Sequence, residues 1–183
     1  MTNRLLAILI PANPYQYSDF SEEKDRSDIG AHMRHAELSR GVYWNVPASG
    51  RKHTWFDRVR TAYFVSPSTE APHRCNEVVY KGEILSIQHY MTKDNMRARF
   101  PVDEVGLLYG TRRKVLEIES EGGYSWSRWP QVEKYGFIFL KVRSIRLLAQ
   151  RHEISEFRKA LWTEDGPVRI CRKYVIVYDE FFE

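Results

Sequence analysis

The sequence predicts an α/β (α+β) fold, a curved mixed sheet or partial β-barrel of about six strands flanked by helices. Three observations carry this expectation. Residues 5–10 form a continuous apolar run ended by Pro11, the signature of a strand covered on both faces. Residues 136–143 alternate strictly, with Ile138, Leu140 and Val142 in one phase and Phe139, Lys141 and Arg143 in the other, which is the period of a half-buried strand. Around these two anchors, β-prone stretches alternate with Gly/Pro breaks and with short segments of helical spacing, a mixture that packs helices outside a sheet.

With 183 residues the chain suits one domain, spanning 1–183, and is long enough to bury its own core. Hydrophobic residues make up 43% and charged residues 28%, so disorder is excluded as the general state. The net charge of +4 and pI near 9.0 fit a polyanionic partner without demanding one. Cys75 and Cys171 stand far apart with no CxxC spacing, which indicates neither a disulfide framework nor a zinc site. No cofactor is expected, and the location expected is the reducing cytoplasm. The 5–10 run is much too short to cross a bilayer, so no membrane partner is expected either.

Taken in order, the strand at 5–10 leads to an exit loop carrying Asn13, Tyr15, Gln16 and Tyr17, and loops at strand ends are where function usually sits. Residues 19–28 hold five acids against Lys24 and Arg26, a solvated stretch unsuited to phosphates. Ile29, Met33 and Ala36 fall at i, i+4 and i+7, a helical face that Gly41 would terminate. Residues 41–46 then form a strand running into a Pro47 to Gly50 turn that ends in Arg51 and Lys52. Trp55, Phe56 and Val59 mark a short helical or irregular segment with Arg58 and Arg60 outward. Strands follow at 61–65 and 78–90, the second with a bulge expected at Gly82. Residues 95–102 are ambiguous, 113–119 read as another strand, and 121–130 are a loop holding Trp126, Arg128 and Trp129. After the alternating strand, Ile154, Phe157 and Leu161 give a helix face, Asp165-Gly166-Pro167 breaks it, and 174–178 closes the chain as a final strand.

Enzyme signatures do not occur: there is no nucleophile elbow, phosphate-cradling Walker loop, H-E-x-x-H helix or zinc-deaminase pattern. His73 and Cys75 share a polar loop without further partners in sequence. Glu117, Glu119 and Glu121 alternate along one strand, which suits either a solvated face or the metal site of a nuclease. The aromatic residues point elsewhere. Tyr43 and Trp44 are adjacent, so in a strand one ring faces the core and the other a cavity or solvent. With Trp126 and Trp129 they could stack a planar base, and Asn13 with Asn45 supplies amides that donate and accept along a base edge. Arg51, Lys52, Arg128 and Arg143 are the cations expected to hold a nucleic-acid backbone. Each residue also has a plain alternative, since large aromatics mostly fill cores and surface cations are common.

The order of these features resembles the YTH domain and its wider PUA/EVE-like superfamily. The residues that carry the resemblance are the strand running into Asn13, the Gly41-Val42-Tyr43-Trp44-Asn45 motif after a helix, Phe64-Val65-Ser66, Gly82-Glu83, the Trp-bearing loop before 137–143, and Gly166-Pro167-Val168-Arg169. The resemblance implies a non-enzymatic reader that flips a methylated base, most readily N6-methyladenine in DNA, into an aromatic cage. Trp44 or the extra residue Tyr43 would form one wall and Trp126 or Trp129 the other; Asn45 stands where the family has Ser or Thr. The chain also looks like the specificity module of an archaeal McrB-type restriction protein, in which a GTPase motor domain and an McrC-like nuclease act beside the reader. An RNA-binding module of the same fold and a metal-dependent nuclease are the alternatives. Stacking contributes about 1–3 kcal/mol per base, comparable to the few kcal/mol of extrusion, and a buried methyl adds only about 0.8 kcal/mol. Affinity in such a reader therefore comes largely from phosphates.

Overall fold

The computed structural model describes residues 4–12, 29, 33, 36, 41–47, 54–66, 76–90, 137–161, 166–169, 171 and 174–180, with backbone alone at a few of these. Among the described residues six strands form one sheet: β1 (Leu6–Pro11), β2 (Val42–Pro47), β3 (Val59–Val65), β4 (Glu77–Tyr90), β5 (Phe137–Glu153) and β6 (Val175–Tyr178). Their spatial order is β2-β5-β4-β3-β1-β6. Only β1 and β3 run parallel; the other neighbours are antiparallel. The sheet is mixed, as expected, but among the described residues it is open: it ends on β2 and β6 and does not close into a barrel.

β1 explains why its sequence is apolar without a break. Leu6, Ile8 and Ile10 enter a core on one face of the sheet, while Ala7 and Leu9 enter a second core on the other. Burying side chains of this size contributes about 1.5–3 kcal/mol each, so a polar residue in either phase would cost stability. The first core is the larger and collects Trp44, Val46, Ala62, Phe64, Ile84, Ile138, Leu140 and Val142 from four strands, together with Ile29, Ala36 and Trp55. The second gathers Tyr63, Val65, Val78, Leu148 and Val177 beneath Ile154, Phe157, Val168 and Cys171.

The helical expectation meets the structure at two places. Residues 29, 33 and 36 are helical, and Gly41 donates its N–H to the Ala36 carbonyl at 3.1 Å with φ of 141°, a conformation that favours glycine and a bond that ends a helix. The described residues do not amount to a helical layer on the sheet. At the second place the expected helix is absent. Ile154–Glu156 is a single 3-10 turn, Phe157 is already extended at φ −85° and ψ 137°, and Leu161 is 44% exposed. The Glu153 N–H donates to the Glu156 carboxylate at 2.6 Å, which closes one turn. Bridges from Arg158 to Pro167 and from Lys159 to Val177 then draw the chain back along the sheet edge.

Gly82 sits where the β4–β5 register slips, between Lys81 opposite Arg146 and Glu83 opposite Arg143, with Ser144 at φ 51° on the partner strand. The extra residue lies in β5, so the bulge falls opposite the glycine at which a bulge of β4 was expected. A Cβ at Gly82 would lie 2.5 Å from Val142 Cγ1 and 3.1 Å from Ile145 Cγ1, both short core side chains with little freedom to move. Gly82→Ala is therefore expected to cost about 1–3 kcal/mol by overpacking, read as a lower urea midpoint. An unchanged midpoint would mean that the strands do not approach this closely.

Candidate nucleic-acid interface

The two faces of the sheet differ in what lies beyond the strands. Among the described residues the second core covers only part of its face. Beyond it, the same face of β3, β4 and β5 carries Thr61, Lys81, Glu83, Lys141, Arg143 and Arg146. Lys141 and Arg143 are on this face because Leu140 and Val142, between and beside them, belong to the first core. The β5 sequence thus folds into a strand with one apolar and one cationic phase.

A cavity of about 280 Å³ opens among these residues, lined by Arg60, Thr61, Tyr63, Lys81, Gly82, Glu83, Ser144 and Arg146. Its floor is fixed by Asp179, which is 8% exposed. Asp179 accepts a hydrogen bond from the Thr61 hydroxyl at 2.6 Å and from the Tyr63 phenol at 2.9 Å, and its own N–H donates to the Leu5 carbonyl. A buried carboxylate with two hydroxyl donors is satisfied where it stands. Arg143 lies beside the cavity and donates from Nε and Nη2 to the two Glu83 oxygens at 2.9 and 2.8 Å. These bonds hold the Glu83 carboxyl below the usual carboxylate value and the Arg143 guanidinium above its own. The contribution of the pair to stability is complete above the ordinary glutamate value of 4.5 and is lost as pH falls through the lowered folded value. Both side chains are about half exposed, so the bidentate geometry serves mainly to orient the guanidinium.

The expected site residues divide sharply. Trp44 is 6% exposed in the first core, with its ring centroid 5.0 Å from that of Phe64 at 58°. It is thus a core ring on the opposite face from Arg143, not the wall of an open cavity. The strand register explains the placement, since Trp44 faces Leu140 and Val46 faces Ile138 across the β2–β5 ladder. Backbone register pairs position 43 with Lys141 and position 45 with Phe139, which assigns positions 43 and 45 to the other phase of the sheet. Asn13, Arg51, Lys52, Trp126, Arg128 and Trp129 lie outside the described residues, as do Cys75, the 113–119 strand and Glu117, Glu119 and Glu121.

Lys81 and Arg146 are functional candidates that the motif-based reading did not single out; they join Arg60, which stood among the cations able to contact phosphates. Their signal was present: Lys81 and Glu83 form the polar phase of β4 around apolar Ile84, and Arg143 and Arg146 punctuate β5. What spacing does not reveal is the bulge that turns these positions toward one cavity. Cys171 sits where the reactive thiolate form is disfavoured. Burial pushes its thiol up to about 12, and the Sγ donates to the Leu9 carbonyl at 3.5 Å. Among the described residues no helix is long and apolar enough to cross a membrane.

No family model matches the chain. No curated protein and no solved structure matches it either.

Proposed function

We propose that the chain is a non-enzymatic nucleic-acid reader. The observation that carries this reading is the cationic half-face of β3, β4 and β5, where, among the described residues, Lys81, Lys141, Arg143 and Arg146 share a surface with the carboxylate of Glu83. A flat surface of cations spread over adjacent strands tracks a phosphate backbone and supplies affinity that does not depend on sequence. Base recognition belongs to the aromatic and amide groups that the sequence singles out. With Trp44 in the core, the first wall of the cage falls to Tyr43, whose backbone position is in register with Lys141, and the second to Trp126 or Trp129. Asn13 and Asn45 read the edge of the base, and Arg51, Lys52 and Arg128 extend the backbone contact. The ligand is DNA carrying a modified base, N6-methyladenine first. In the wider assembly the chain serves as the specificity module beside a GTPase motor and an McrC-like nuclease.

Binding to matched oligonucleotides that carry adenine, N6-methyladenine, cytosine or 5-methylcytosine, as DNA and as RNA, tests this directly. The N6-methyladenine DNA is expected to bind tightest, and Tyr43→Ala is expected to remove the preference while leaving most of the affinity. If six phosphates are neutralised, log affinity falls against log salt with a slope of roughly −5. Equal binding of all four bases by both proteins rejects modification reading, and a slope near zero rejects the backbone contact.

A further inference from the structure

We propose that the sheet surface made by β2, β5 and β4 is a stacking platform for unpaired bases, on which Phe139 and Phe137 join Tyr43. The inference rests on the nucleic-acid reading above and names its substrate class: a single strand, drawn out along the sheet.

The juxtaposition is one of register. Tyr43 is level with Lys141, Asn45 with Phe139 and Pro47 with Phe137 across the β2–β5 ladder. On the other side of β5, Ser86 is level with Lys141, Gln88 with Phe139 and Tyr90 with Phe137. Residues level with one another on neighbouring strands share a face, and Ile138, Leu140 and Val142 define the opposite face as that of the first core. One phase of three adjacent strands therefore brings together Tyr43, Phe137, Phe139 and Tyr90, with Asn45 in the row of Phe139.

The composition of this phase is not that of a second buried layer. From 137 to 143 the core phase of β5 is aliphatic, whereas this one reads Phe, Phe, Lys, Arg. Among the described side chains of the phase, Gln88 and Arg143 are exposed and Ser86 and Lys141 half-buried, and none of the four belongs to either core. Aromatic residues set among exposed polar positions suit a ligand that is apolar on its faces and polar at its edges, which is a nucleobase.

The spacing selects a single strand. Alternate positions along β5 lie about 6.8 Å apart, twice the roughly 3.4 Å between successive nucleotides of a duplex strand. Neighbouring bases can use positions 137 and 139 together only when they are pulled apart, as an unpaired strand allows and a duplex forbids. The diagonal from 43 to 139 is about 7–8 Å, so Tyr43 continues the same spacing onto β2. Asn45, beside Phe139 in its row, supplies an amide able to donate and accept at the edge of a stacked base. Stacking calls on no unengaged cation: Arg143 stays bonded to Glu83, and the net charge of +4 attracts the strand as a whole.

The test is fluorescence anisotropy of the whole chain with three unmodified probes of equal length at constant ionic strength: a single-stranded DNA, the same strand paired to its complement, and an abasic deoxyribose-phosphate oligomer. The single strand is expected to bind at least about tenfold tighter than either of the others. Phe139→Leu and Tyr43→Leu keep apolar bulk and are expected to lose about fivefold or more in single-strand affinity, with abasic binding unchanged; thermal melting checks that they fold. Should Phe139→Leu not fold, Phe137→Leu takes its place, and the wild-type comparison of base-bearing and abasic strands decides by itself. Abasic or duplex binding equal to that of the single strand overturns the platform, as do folded variants that bind like the wild type. The same titrations with N6-methyladenine in the strand keep the two proposals apart. Tighter methylated binding that Phe139→Leu leaves intact retains the reader and rejects the platform. Equal methylated and unmodified binding that Phe139→Leu weakens retains the platform and rejects modification reading. Binding of none of the probes overturns both.

Discussion

Trp44→Ala is expected to lower the unfolding free energy by about 3–5 kcal/mol, the range for deleting a large aromatic from a packed core. For a chain of this size that corresponds to a fall in melting temperature of roughly 6–20 °C. The expectation rests on its 6% exposure, its place among Val46, Ile138 and Leu140, and its ring contact with Phe64. The indole bridges the edge strand β2 to the interior of the sheet, so its loss loosens the strand that presents position 43. The measurement also separates two readings of the same residue. A wall of an open cage could be removed with little change in stability and a large change in base preference. A core ring behaves the other way, losing stability first and affecting binding only through β2. Trp44→Phe, which keeps most of the apolar contact, is expected to recover part of the stability. A melting temperature unchanged in Trp44→Ala would sink the core placement and return the indole to the cage.

That residue also shows where the sequence was legible and where it was not. Alternation requires Tyr43 and Trp44 to face opposite ways, and the phase was in fact readable: Val42, Trp44 and Val46 form the apolar set, while Asn45 shares the phase of Tyr43. The motif drew attention to the indole, but the polar neighbour in the other phase was the better guide. Strands β1 and β5 were visible because burial on both faces and burial on one face leave different periods. An irregularity at Gly82 was visible because a glycine in a strand has little other use there, but not that its extra residue would lie in β5. The extension of β5 from Arg143 to Glu153 was hidden, because the slip at Ser144 breaks the alternation just where the eye would follow it. The Asp179 clamp on Thr61 and Tyr63 joins groups 118 and 116 residues apart, and no local pattern announces it. The cavity depends on that clamp and on the bulge together, which is why its three cations look unrelated in the chain.

Phe157→Ala is expected to cost about 3–5 kcal/mol, although helical spacing would have placed this residue in an ordinary amphipathic turn. It is fully buried and extended, and it meets Tyr63 edge-on at 5.2 Å and His152 at 6.3 Å. Its backbone is tied on both sides, donating to the Ile154 carbonyl at 3.2 Å and accepting from the Val168 N–H at 2.9 Å. The chain therefore cannot swing the ring away, and the alternative of relaxing into the space left by truncation falls on Val65, Ile154 and Val168. Because Tyr63 is also the phenol that Asp179 orients at the cavity floor, the effect should reach past stability. In a double-mutant cycle of Phe157→Leu with Tyr63→Leu, the ring contact and its surroundings are expected to couple by about 0.5–1.5 kcal/mol, the range for aromatic pairs. Urea unfolding of the four proteins supplies the cycle. Strict additivity would show that the two rings are buried side by side without supporting one another, and that the second core and the cavity floor are energetically separate.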